Sequence, residues 1–137
     1  MTRTEFQDLA EERAQDAQAL LSAGRWSGAY YLAGYSTECG LKACIAKLTN
    51  QDDYPDKVFA QSCWTHKLET LVRLAGLESL RAAQASLNPT FGIHWGIAKD
   101  WDEESRYKLW TESQARKLFA ALTDLTDGVL PWIRGHW

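Results

Sequence analysis

Apolar residues recur along most of this chain at three- and four-residue intervals, the period of an α-helix. Phe6, Leu9, Ala10, Ala14, Ala17, Leu20 and Leu21 make one such stripe, with Glu5, Asp8, Glu11, Glu12 and Gln15 opposite it. This predicts a helix from about Thr4 to Ala23, with Thr4 and Gln7 as a capping box and Gly24 as the stop signal. A second helix is expected from Trp26 to Leu48. It is apolar around most of its circumference and rich in Ala and Gly, the composition of a central helix with close neighbours. Two polar stripes interrupt it. One is small, Ser36, Gly40 and Lys47; the other is Tyr31, Tyr35, Glu38 and Lys42.

Residues 50–64 carry the turn signals Asn50, Asp52, Asp53 and Pro55 and read as a loop. A third helix is expected from Thr65 to Ala75, ended by Gly76, and a fourth from Leu77 to Leu87, closed by Asn88-Pro89 with room for a short further turn. Residues 92–109, with two glycines and many rings, read as packed but irregular. A final helix is expected from Glu112 to Ile133, with a Thr111/Gln114 capping box and a stripe of Leu118, Leu122, Leu125, Val129 and Trp132; Gly128 and Pro131 weaken its last turns. No strand-like alternation is visible. The expected fold class is therefore all-α, an antiparallel up-and-down bundle of four or five helices in a single domain over residues 1–137.

Composition narrows the function classes. With 137 residues, 45% hydrophobic and 24% charged, the chain has the balance of one globular domain rather than a disordered one. Fifteen Lys and Arg against 18 Asp and Glu give a net charge of −3, which argues against a broad basic face for duplex DNA. No apolar run is long enough to span a bilayer, and the acidic start lacks the pattern of a targeting peptide, so a cytoplasmic location and no membrane partner are expected. Three cysteines do not make a closed disulfide framework, and Cys39, Cys44, Cys63, His66, His94 and His136 lack metal-ligand spacing, so buried inert thiols and no metal or other cofactor are expected. Seven tryptophans fit a core or an oligomer interface; base stacking is the alternative, but Trp95 to Trp110 is interleaved with Asp100, Asp102, Glu103 and Glu104. Gly24-x-x-x-Gly28 has no following Lys-Ser/Thr and no preceding strand, so it is not a phosphate loop.

The run from Leu9 to Lys47, with Gly24, the stretch Gly28-Ala29-Tyr30-Tyr31-Leu32-Ala33-Gly34-Tyr35, Glu38-Cys39 and Leu41-Lys42-Ala43, resembles the first helical hairpin of the HEPN domain, a superfamily of nucleotide-binding domains. Thr65-His66-Lys67-Leu68-Glu69-Thr70-Leu71 resembles that family's His-containing third helix, and Trp101 with Ser105-Arg106-Tyr107 a motif of one prokaryotic subgroup. The resemblance implies a homodimeric helical bundle associated with a nucleotide or RNA, or with a minimal nucleotidyltransferase as toxin–antitoxin pair or substrate-binding subunit. Some members are metal-independent ribonucleases with an arginine separated from a following histidine by four to six residues. None of the three histidines here has that arginine; the matching windows hold Phe59 to Gln61, Leu87 to Pro89 and Val129 to Pro131.

From the residues themselves, Glu38 and Lys42 stand in the favourable order for an i,i+4 ion pair, and a carboxylate on so apolar a helix demands a partner. A buried polar network, with Glu38 on Lys42 or a distant Arg106, is the preferred reading. A ligand site is the alternative, with Lys42 and Arg106 on phosphate and Tyr31 and Tyr35 stacking on or hydrogen-bonding a base. His66 is expected in the first turn of the third helix, tying the 50–64 loop to the bundle or serving as an acid–base group. Trp101, Arg106 and Tyr107 would pin the irregular segment or extend the site. His66 and Arg106 are the candidate catalytic pair of the ribonuclease alternative. A dimeric scaffold without a ligand is the third reading.

Overall fold

The computed structural model describes residues 1–49, 54 and 56–137; the turn signals Asn50, Asp52, Asp53 and Pro55 lie outside the described residues. Among the described residues there is no strand, and the chain is a bundle of α-helices. Helix α1 spans Arg3–Ser22 and α2 Trp26–Lys47, joined by a tight turn in which Gly24 adopts φ +72°, the left-handed conformation that glycine reaches without strain. The turn makes the two helices antiparallel. Ser36, buried in α2, donates to the Ala10 carbonyl of α1 at 2.8 Å and locks their register. Ser36 and Gly40 of the small polar stripe thus face packing, Gly40 lying under Ile133 and Trp137, while Lys47 at its end is exposed.

The remaining elements are α3 (Lys57–Ser62), α4 (Leu68–Leu74), α5 (Glu78–Leu87), α6 (Pro89–Ala98), a 3₁₀ turn (Glu103–Tyr107), α7 (Glu112–Thr123) and α8 (Val129–Arg134). Helix α2 is the axle: α1, α4, α7, α8 and the 3₁₀ turn all pack on it. Its Ala29, Ala33, Leu41, Ala43 and Cys44 are buried, as are Leu68, Leu71 and Val72 of α4, Leu118 and Leu122 of α7, and Val129 and Ile133 of α8.

Several local expectations are corrected. The first helix is capped by Thr2, not Thr4. Thr2 Oγ1 accepts from the Glu5 amide at 3.2 Å while Glu5 Oε2 accepts from the Thr2 amide at 2.6 Å. A Thr–Glu box outcompetes Thr4–Gln7 because the carboxylate also meets the positive end of the helix; that bond to the Thr2 amide holds the Glu5 carboxyl below its usual range. The segment after Ser62 is a loop as expected, but 57–62 is helical, started by Asp56 Oδ1 accepting from Val58 and Phe59. Asn88 ends α5 and also caps α6 through Oδ1 to the Phe91 amide, with Pro89 at the first helical position. The stretch read as irregular is thus helical through Ala98.

The final helix is two helices. Asp124 Oδ1 accepts from the amides of Thr126 and Asp127, at 3.0 and 2.7 Å, and this side-chain turn takes the backbone away from the helix. Gly128 then lets the chain double back, since a Cβ there would overlap the Asp124 backbone. Leu125, placed on the apolar stripe by periodicity, sits in the break and is 91% exposed. The Thr111 capping box on α7 is present as read.

Candidate functional site

The Tyr31–Lys42 stripe of α2 comes together with residues from two later segments. Glu38 is 2% exposed, and its Oε1 accepts from Lys42 Nζ at 2.9 Å and from His66 Nδ1 at 2.8 Å. Lys42 and His66 are only part-buried, with side chains 18% and 43% exposed. The carboxylate accepts, so the proton of a neutral His66 ring sits on Nδ1, and Nε2 is left as the acceptor. His66 does not lie in the first turn of its helix. It precedes α4, whose N-cap is the extended Lys67, and this leaves the imidazole free to reach across to α2. Of the two partners expected for Glu38, Lys42 is in place and Arg106 is not; the second donor is His66.

Glu38 Oε2 is buried with no hydrogen-bond partner among the described residues. A carboxylate oxygen in that position is costly, and internal polar networks ordinarily satisfy such atoms. The indole Nε1 of Trp101, itself 1% exposed, is likewise without a partner among the described residues.

One turn N-terminal to Glu38 the seam becomes aromatic. Tyr35 and Tyr31 stack with centroids 6.1 Å apart, and Tyr31 stacks on Trp101 at 6.0 Å. Burial, with Cys39 and Glu38 close by, pushes the Tyr35 phenol up to about 12, so it is a hydroxyl donor at any physiological pH. Trp101 reaches this position because α2 has glycine at 34. A Cβ there would fall inside the indole ring, so Gly34 and Trp101 are matched surfaces. The Arg106 guanidinium lies 4.9 Å over the Tyr107 ring, and the phenols of Tyr107 and then Tyr31 raise its pKa further. Tyr107 is 73% exposed and forms the outer rim. A small cleft of about 140 Å³, bounded by Lys67, Leu68, Asp100, Trp101 and Asp102, opens beside Trp101.

The eight expected residues therefore form a line rather than one cluster. Tyr31 and Lys42, which anchor its ends, are eleven residues apart on α2, roughly 16 Å of helix rise. Arg106 sits at the Tyr31 end and His66 at the Glu38 end, about two helical turns apart. Lys42 and Arg106 stand too far apart along α2 to hold one phosphate together, and the cation beside His66 is Lys42. Among the described residues no group of three or more His, Cys, Asp or Glu could hold a metal ion, and no helix is long and apolar enough to cross a membrane. Cys39 and Cys44 are buried free thiols and Cys63 a half-buried one.

Of the tryptophans, Trp95 and Trp101 are core, whereas Trp64 is 80% exposed. Periodicity could not have paired Gly34 with Trp101 or Glu38 with His66, because each pair joins distant segments. No family model, no curated protein and no solved structure matches the chain.

Proposed function

We propose that this chain is a HEPN-like binding module, homodimeric, whose Tyr31–Lys42 seam engages a nucleotide or a short RNA segment, either alone or in company with a nucleotidyltransferase partner. The observation that carries this reading is Glu38 Oε2, which has no hydrogen-bond partner among the described residues and is a buried atom of a carboxylate whose other oxygen already serves two donors. A purely structural network closes on itself; this one leaves a buried acceptor, a half-exposed imidazole and an ammonium at one end and a stack of rings at the other. A nucleobase has the N–H groups for a carboxylate, and its phosphate has the charge for Lys42 or Arg106. Titration calorimetry with ATP, GTP and short single-stranded RNAs tests it. Binding by at least one of them, lost in Lys42→Met and weakened in Tyr31→Ala, is the expected outcome. Absence of heat from every one of them leaves the scaffold reading in its place.

A second reading, a divergent metal-independent ribonuclease, is favoured by the Glu38–His66 bond. A carboxylate on Nδ1 fixes the tautomer and aims Nε2 outward, the arrangement a general base requires. Lys42, rather than Arg106, would stabilise charge developing on the phosphate. Incubation with labelled tRNA and mRNA in the presence of EDTA, beside His66→Ala, decides it. Cleavage that is absent, or unchanged by the substitution, removes this reading.

A further inference from the structure

A cleft of about 420 Å³, separate from the seam, opens where the α1–α2 turn meets the segment leading into α7. Its walls are Leu20, Trp26, Leu109 and Trp110, with Arg25 at the edge and no acidic residue in the lining. Leu109 is 95% exposed, an apolar side chain left in solvent at the mouth of an apolar depression. The rim is cationic. Lys108 Nζ lies 5.9 Å from the Trp110 ring centroid and the Arg116 guanidinium 5.1 Å from that of Trp26. Arg116 is paired with Glu112 at 3.0 Å, but no carboxylate among the described residues forms an ion pair with Arg25 or Lys108. In a chain of net charge −3, this corner has the opposite sign.

We propose that this cleft docks an acidic peptide segment that carries an aliphatic anchor side chain. The depression has the volume typical of a small binding pocket. Its aliphatic wall suits a branched side chain, and Arg25 and Lys108 stand where carboxylates flanking that anchor would lie. The same aromatic and basic residues suggest single-stranded nucleic acid at first sight, but the rings are already occupied. Trp110 stacks on Tyr30 at 3.7 Å and 10° and has Lys108 within cation–π reach, while Arg116 covers Trp26. A base would have to displace a cation to find a ring face, whereas a leucine needs only the edge of the indoles and Leu109. The proposal stands independently of the seam and of its ligand.

The test is fluorescence anisotropy with a labelled peptide of alternating aspartate and leucine, against its asparagine–leucine counterpart and an oligothymidylate of similar length. The acidic peptide should bind, more weakly at high salt, and roughly tenfold more tightly than the neutral one. The double variant R25E/K108E should lose roughly tenfold or more in affinity, and both residues are exposed, so circular dichroism should not change. The indole N–H resonances of Trp26 and Trp110 should shift on titration. R25Q/K108Q gives the same comparison if the charge reversal disturbs folding. Failure of the acidic peptide to bind, or binding indifferent to both double variants, overturns the proposal. Tighter binding of the oligothymidylate with shifts at the same two indoles also overturns it and assigns the cleft to nucleic acid.

Discussion

Replacing Gly34 with alanine adds one methyl group at the place where the bundle has least room for it. Gly34 lies mid-way along α2, and the Trp101 indole rests directly on its Cα. Trp101 is 1% exposed and stacks on Tyr31, so the ring can shift toward the neighbouring cleft only by giving up that stack. In an unconstrained helix, glycine to alanine is worth up to about 1 kcal/mol of added stability. Here the overpacking penalty, typically about 1–3 kcal/mol, opposes that gain, and expulsion of the ring would forfeit roughly 3–5 kcal/mol instead. We expect a net loss of about 2 kcal/mol, and for a chain of this size a fall in Tm of roughly 6–10 °C. The matched control is Gly96→Ala. Gly96 is also in a helix interior, but nothing lies within 4 Å of its added Cβ, so propensity alone acts and Tm should rise by a few degrees, about 0.5–1 kcal/mol. Thermal and urea unfolding followed by far- and near-ultraviolet circular dichroism measure both. In Gly34→Ala the near-ultraviolet signal should also change as the Tyr31–Trp101 stack opens. A Gly34→Ala protein as stable as its parent, with that signal intact, refutes the argument that Gly34 and Trp101 are matched surfaces.

Removal of the Glu38 carboxylate should be expensive. Glu38→Ala strands Lys42 and His66 and, allowing for their partial exposure, should cost about 2–3 kcal/mol in urea unfolding, with Glu38→Gln losing less because an amide oxygen still accepts. At the start of α1, Thr2→Ala should cost about 0.5–1 kcal/mol while Thr4→Ala stays within about 0.5 kcal/mol of the parent, and equal effects would undo the assignment of the cap. Burial pushes the Cys39 and Cys44 thiols up to about 11, above the ordinary value of 9.0, so the folded protein holds these protons after the unfolded chain has released them. Stability should therefore be unaffected below pH 9 and fall between pH 9 and 11, each thiol contributing a loss of about 1.4 kcal/mol for every tenfold weakening of its acidity on folding. A Cys39→Ala/Cys44→Ala variant should show a smaller alkaline decline in urea unfolding. Asp124 is held below its usual range by the amides of Asp127 and Thr126, so its contribution to the α7–α8 turn should persist above pH 3.8 and disappear as pH falls through its lowered value; Asp124→Asn, compared across acid titrations, checks this.

Helical period was enough to place α1, α2, α5 and the start of α7 to within a few residues, because each presents an apolar stripe long enough to average over local exceptions. It failed where a side chain competes for backbone hydrogen bonds. Asp124 and Gly128 split a periodic stretch, and Asn88, read as a terminator, starts a helix as well as ending one. At the site, the α2 stripe was legible because its four residues share one face of one helix. Of the partners of Glu38, Lys42 was legible from its i,i+4 spacing, whereas His66 was not, because it comes from a distant segment and Arg106 stood as the distant candidate. The Arg25–Trp110 cleft left no trace in the sequence, because its walls come from segments more than eighty residues apart.

Helix α8 lies against the beginning of the chain. Arg134 grips Glu11 with two bonds, at 2.6 and 2.9 Å, across 123 positions of sequence. Such a clasp cannot close until α8 has been synthesised, 123 residues after Glu11. Until then α1 and α2 have to persist as a hairpin with the groove around Gly40 uncovered, and that nascent intermediate is where a chaperone, or a premature encounter with another chain, would act.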